Sequence, residues 1–174
     1  MSIQTQLESH IAQGIAALNT VLDDADLAAL FKPLGPKLNA LAITFPDSTA
    51  WAEALIGYGL GHQIYASATD GRFLATIRHP DGLPGHPDLR QVQLTQRRPD
   101  FVGPAEDLDH VDLLLPQTVD LDELASTLMA AGQDCEARRS DLRPYVTLWH
   151  GGHKFKLVTC EAWQACVLRA DSLI

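Results

Sequence analysis

Cysteine is scarce in this chain. Cys135, Cys160 and Cys166 are odd in number and fit no metal-binding or redox spacing, which excludes a disulfide framework and reads as reduced thiols. Long apolar runs are missing too: no stretch approaches the roughly 18 apolar residues that a membrane helix requires. The N-terminus lacks the basic lead and apolar run of a secretory signal. Basic stretches are also absent, Arg97-Arg98 and Arg138-Arg139 being isolated pairs in a chain of net charge −9 and pI about 5.0. Such a surface repels phosphate backbones, so nucleic acid is excluded as a partner. No Gly-x-Gly-x-x-Gly, phosphate loop or Gly-x-Ser-x-Gly elbow occurs. The acidic group Glu106, Asp107, Asp109 and Asp112 lacks the Asp-x-Asp-x-Asp-Gly pattern and reads as a solvated face. What remains is a cytoplasmic globular protein, large enough at 174 residues to fold without staples.

What is present is one structural sentence written twice. Leu38 to Pro46 (LNALAITFP) and Leu108 to Pro116 (LDHVDLLLP) are short apolar strands ended by proline. In the first copy, Asp47 or Ser48 caps a helical stretch through Tyr58, with Trp51, Leu55 and Tyr58 on one face and Gly59 as the stop. Strands are expected at 62–68, 72–78 and 91–96, with Asp70-Gly71 as a hairpin turn and 79–89 as a loop. In the second copy, Leu121, Leu124, Leu128 and Met129 form a helix face ending at Ala131-Gly132. Strands then follow at 134–139, 145–150 and 153–159, with Gly151-Gly152 as the turn. That turn separates His150 from His153, so the pair is not a metal motif on a helix. Ahead of the repeats, Ile3, Leu7, Ile11, Ile15, Leu18 and Leu22 mark one helix face. A second helix runs from Asp24 through Phe31 and is ended by Pro33 and Gly35-Pro36. Trp51, Trp149 and Trp163 read as core residues.

The expected fold class is therefore α+β. A helical cap (1–36) precedes two βαβββ modules (37–97 and 107–160), and a short C-terminal helix (161–174) closes a single domain. Paired modules of this kind, with Asp109-His110-Val111 to Pro116 opening the second, resemble the vicinal oxygen chelate superfamily of glyoxalases and extradiol dioxygenases. Within it the layout is similar to the YecM-like group, which also carries a helical N-terminal extension.

The resemblance implies a cup lined by the first and last strands of each module, holding a divalent ion (Zn, Ni, Mn or Fe) on His or Gln and Glu ligands. Carried over position by position, His110 supplies an imidazole in the second module, whereas Ala40 stands at the equivalent place in the first. Gln96 or Gln93 stands where a Glu is usual in the last strand of module one. Lys156 replaces the Glu of module two. A lysine ammonium about 4 Å from a divalent ion is repelled by roughly 8 kcal/mol at an effective dielectric of ~20.

The reading that follows is a small-molecule-binding protein without a cofactor, with His110, Lys156 and Gln96 gripping an anionic ligand. One alternative is a divalent-metal lyase, isomerase or dioxygenase that uses His110 as a ligand, with Glu136 as a substitute. Another is a structural or partner-binding module whose cup is filled. On the residues alone, His110 is also consistent with a strand histidine facing Asp109 or Asp112. Lys154 and Lys156, two apart, are also consistent with a solvated strand face.

Overall fold

A computed structural model of the chain describes residues 2–45, 63–69, 72–78, 81–96, 107–139 and 144–160. The chain divides into two compact units, Met1–Gly14 with Ala40–Asp109, and Ile15–Asn39 with His110–Ile174. The expected helices at 47–58 and 161–170, the Asp70-Gly71 turn, Trp51, Trp163 and Cys166 lie outside the described residues.

Helix α1 (Ile3–Asp23) forms where the apolar spacing predicts it, but its buried seam differs. Leu7, Ile11, Ala17 and Val21 are buried, while Ile15 is 37 % exposed. At 3.6 residues per turn, eight residues from Leu7 overshoot the starting face by about 80°, whereas seven return to within about 20°. The stripe therefore passes through Gly14, and small Ala17 takes the place expected for Leu18. Helix α2 (Ala25–Leu34) starts at Asp24, whose Oδ1 accepts hydrogen bonds from the Asp26 and Leu27 amides. It runs through Pro33 instead of stopping there. Proline so near the end forfeits little, and the stop is Gly35, left-handed at φ 56°, whose N–H bonds to the Phe31 and Lys32 carbonyls.

Strands β1 (Lys37–Phe45, from Ala40 onward in the first unit), β2 (Gln63–Thr69), β3 (Arg72–Arg78) and β4 (Gln91–Gln96) lie in the order β2-β3-β4-β1. The β1–β4 pair is parallel and the others are antiparallel. The last of these four strands thus returns beside the first. Leu38 through Ile43 are buried without interruption, the mark of a strand covered on both faces.

The second unit repeats the plan. Strands β5 (Asp107–Leu114), β6 (Asp134–Arg139), β7 (Pro144–His150) and β8 (His153–Val158) lie in the order β5-β8-β7-β6, again with the first and last parallel. Helix α3 (Leu121–Ala130) begins at Asp120, which caps the Asp122 and Glu123 amides. It buries Leu121, Leu124, Ala125 and Leu128. Period two sorts the strands cleanly. Val111, Leu113, Val146, Leu148, Phe155 and Leu157 take one face and are all buried. On that same face Cys135 Sγ reaches the Ala125 carbonyl of α3 at 3.6 Å, which identifies it as the helix-covered side. Gly151 and Gly152, both at positive φ, close the β7–β8 hairpin with His150 opposite His153.

Candidate functional site

The opposite face of the second unit is polar, and the sequence sets it residue by residue. On β5 it carries His110 and Asp112, on β8 Lys154 and Lys156, on β7 Tyr145, Thr147 and Trp149, and on β6 Asp134, Glu136 and Arg138. Register aligns these into rows. Asp112 stands beside Lys156, Lys156 beside Thr147, and Thr147 beside Glu136. In the next row Lys154 pairs with Trp149 and Trp149 with Asp134. Cross-strand neighbours of this kind hold their Cβ atoms about 4.5–5.5 Å apart, within reach of one another and of a shared ligand.

Burial divides the face. Asp112 is 1 % exposed and His110 6 %, so this face is closed to solvent along β5, and Thr147 on β7 is likewise buried at 2 %. Lys154, Lys156 and Tyr145 keep intermediate exposure, and Trp149 is 37 % exposed. The burial of Asp112 corrects the expectation that it belongs to a solvated acidic face. The exposure of Trp149 corrects its assignment to the core. Asp112 faces inward because its parity is that of His110, opposite to Val111 and Leu113.

Two contacts fix the electrostatics. His110 Nε2 lies 3.4 Å from Asp112 Oδ1, an ion-pair separation at an angle outside that of a hydrogen bond. The sequence-level alternative that His110 faces Asp112 thus corresponds to a real contact. Lys156 Nζ sits 5.3 Å above the centre of the Tyr145 ring, a cation–π distance that holds the ammonium over this face. Glu136 is half exposed, and Arg138 donates to its Oε2 from Nε at 2.9 Å and Nη2 at 2.6 Å. That bond, together with the Glu136 charge, raises the Arg138 pKa above its ordinary value. Glu136 is therefore engaged with Arg138 at the outer strand.

Gln96 belongs to the first unit. Its backbone pairs with Phe45 and it has the parity of Val92 and Leu94. Gln91 and Gln93 pair instead with Ala40 and Ala42, so they share the face of Ala40. Positions 93 and 96 differ by an odd step, which puts them on opposite faces of one strand. Gln91 is 1 % exposed, and among the described residues neither end of its amide has a hydrogen-bond partner. Thr147, Tyr145 and Gln91 were visible only as strand parity. No motif marks them.

No protein-family description matches the chain, and neither does any curated protein sequence. Solved structures do match. A structural-genomics target, Protein EC4020, aligns over 97 % of this chain and 93 % of its own length, with TM-score 0.62 and 16 % identity. Methylmalonyl-CoA epimerase from Mycobacterium tuberculosis aligns over 74 % of this chain and 91 % of its own, with TM-score 0.55 and 18 % identity. The chain has the glyoxalase-like α+β fold. A methylmalonyl-CoA epimerase in complex with methylmalonyl-CoA and NH4+ shares that fold, with TM-score 0.55 and 19 % identity over 73 % of this chain and 96 % of its own. At such identities the likeness speaks for the fold, and chemistry must be argued from the side chains.

Proposed function

We infer that the chain is a cytoplasmic small-molecule-binding protein of the vicinal oxygen chelate type, whose ligand is held as an anion instead of through a metal. The YecM-like layout belongs to this reading. Helices α1 and α2 precede the first module, and the likeness to Protein EC4020 extends over 97 % of the chain. The observation that carries the proposal is Lys156. It stands on β8 between Asp112 and Thr147, its ammonium kept over Tyr145 and still partly exposed. Lysine supplies a compact positive charge with three donors, and Lys154 on the same face adds a second. His110 and Thr147 lie on this face as further hydrogen-bonding groups. Gln96 is the weakest member of the expected set, because Gln93 and Gln91 share its strand and face the Ala40 side. That a neighbour of this fold binds methylmalonyl-CoA, an anionic small molecule, is consistent with an anionic ligand here.

The residues do not fit a divalent ion. Ala40 offers no donor and Lys156 brings a cation to the place of an acidic ligand. Among the described residues no group of three or more His, Cys, Asp or Glu side chains is placed to hold one. His110 and Asp112 are two donors on one strand face, too few for a site of ordinary strength. No step is derived through a metal.

A second reading has one observation in its favour. His110, Asp112 and Thr147 are all buried, as they would be in a structural module whose polar face is filled from within. The test that separates the two is a calorimetric titration with acetate, propionate and oxalate, repeated on Lys156→Met. Saturable heat that disappears in the variant supports ligand binding. No heat with any of the three supports the filled module.

A further inference from the structure

Strand β6 is terminal in the strand order and, among the described residues, pairs with β7 alone. Its outer edge therefore presents a row of backbone N–H and C=O groups to which another strand can bond. Register with β7 is continuous from Asp134 to Arg139, so no bulge twists the edge away, and no proline interrupts it. Glu136, Ala137 and Arg138 are all exposed. Sheets ordinarily blunt such an edge with charge. Charge repels a second strand only where like signs meet, and β6 carries both signs, Asp134 and Glu136 preceding Arg138 on one face.

We propose that β6 is a self-association surface, pairing antiparallel with β6 of a second copy about a twofold axis at Ala137. Opposed residues in an antiparallel pair share a face, so the axis passes beside a single residue. Two registers then pair five residues of this six-residue strand, one centred on Glu136 and one on Ala137. Centring on Glu136 sets two carboxylates face to face at the axis. Centring on Ala137 sets Glu136 opposite the copy's Arg138 and Arg138 opposite the copy's Glu136, with a small residue at the axis. Charge therefore selects the Ala137 register. Glu136 and Arg138 already bond each other within the strand, at 50 % and 51 % side-chain exposure. Opposed Cβ atoms lie about 4.5–5.5 Å apart, so the same bond can be made across the axis at little cost. The open backbone edge supplies the attraction and the charges supply the register. So short an edge falls below the roughly 1,200 Å² of a stable interface, and the dimer is accordingly weak, with a dissociation constant of about 0.1–1 mM.

The test is sedimentation equilibrium at protein concentrations up to about 1 mM, the weak end of that range. The samples are wild type, Glu136→Arg, Arg138→Glu, an equimolar mixture of those two variants, and Asp134→Arg. Wild type is expected to rise with concentration from 19.0 kDa towards twice that mass. Either reversal at 136 or 138 opposes like charges on both sides of the axis and should weaken association by about tenfold or more. The mixture should regain it, because every opposed pair between the two variants again has opposite signs. Asp134→Arg should associate like wild type, since position 134 lies outside the five paired residues. All three positions are exposed, and circular dichroism checks that each variant is folded. A wild type that stays monomeric throughout overturns the proposal. So does association that both reversals leave unchanged, or singly reversed variants that do not recover when mixed. Loss of association in Asp134→Arg overturns the Ala137 register, because only centring on Glu136 places Asp134 opposite Arg138.

Discussion

Asp112 and Lys156 are register partners on adjacent parallel strands, and the carboxylate is 1 % exposed while the lysine keeps partial exposure. A carboxylate so far from water is tolerable only beside compensating charge and hydrogen bonds. Asp112 has Lys156 on one side and His110 Nε2 at 3.4 Å on its own strand. Lys156 is thus the cross-strand neighbour of a buried acid as well as a positive charge on this face.

Removing the lysine should therefore destabilise the fold as well as the site. Lys156→Met is expected to cost about 1–3 kcal/mol in urea unfolding, the range for leaving a buried polar group poorly compensated. Asp112→Asn alone should cost less, because the amide keeps the shape without the charge. The double variant should cost less than the sum of the two. Strict additivity would show that the two side chains do not interact.

Gln91 predicts the opposite sign. Its amide is buried, with both ends unpaired among the described residues, beside Ala40 in the first unit. Gln91→Met removes two unsatisfied groups at nearly constant shape and is expected to be neutral or to stabilise by about 1 kcal/mol. Thermal melts of the two proteins measure it. A loss of more than about 1 kcal/mol would mean that the amide is satisfied in solution, for instance by an ordered water.

Much of this architecture is legible in the residues alone. The duplicated strand-proline openings, the Gly151-Gly152 turn and the 3.6-residue spacing of α3 each act locally, so their elements fall within a residue or two of where the pattern puts them. Asp112 escaped because its partner is distant in the chain. Within the run from Glu106 to Asp112 every acid looks alike, and only the parity of β5 and the register with Lys156 distinguish the one that faces inward. Trp149 escaped for the reverse reason, since a large apolar residue is ordinarily core unless its strand face is known. Gln96 and Gln93 show the same limit, because naming a strand does not choose a face until its register with β1 is seen.

The two aspartate caps allow a matched comparison. Asp120 accepts from the Asp122 and Glu123 amides at 2.9 and 3.1 Å, and Asp24 from the Asp26 and Leu27 amides at 2.9 and 3.0 Å. Asp120→Ala should cost about 1 kcal/mol, the usual figure for a lost cap. Asp24 Oδ2 also lies 3.6 Å from His150 Nε2 at the β7–β8 turn, where Gly151 closes on Thr20. Asp24→Ala should therefore cost a further few tenths of a kcal/mol, the scale of a partly exposed ion pair. His150→Ala in each background isolates that increment by denaturant unfolding.

Cys135 should be a slow thiol. Burial first, and then the neighbouring Asp134 charge, raise its pKa above the ordinary cysteine value. At any pH below that raised value less thiolate is present than in a free cysteine, and thiolate is the reacting form. Alkylation by iodoacetamide at mildly alkaline pH should lag a cysteine peptide, and Asp134→Asn should quicken it. A rate equal to the peptide's would contradict this environment.

Anion binding by Lys156, on a face proposed to work without a metal, can be tested in one measurement. Wild type and Lys156→Met are titrated with propionate by calorimetry, in buffer with and without a chelator, after elemental analysis of the protein purified without a histidine-rich tag. The expected result is saturable binding that is indifferent to the chelator and weakened by on the order of tenfold, about 1.4 kcal/mol, in the variant. One equivalent of bound metal that is lost on His110→Ala, with propionate binding abolished by the chelator, would contradict it.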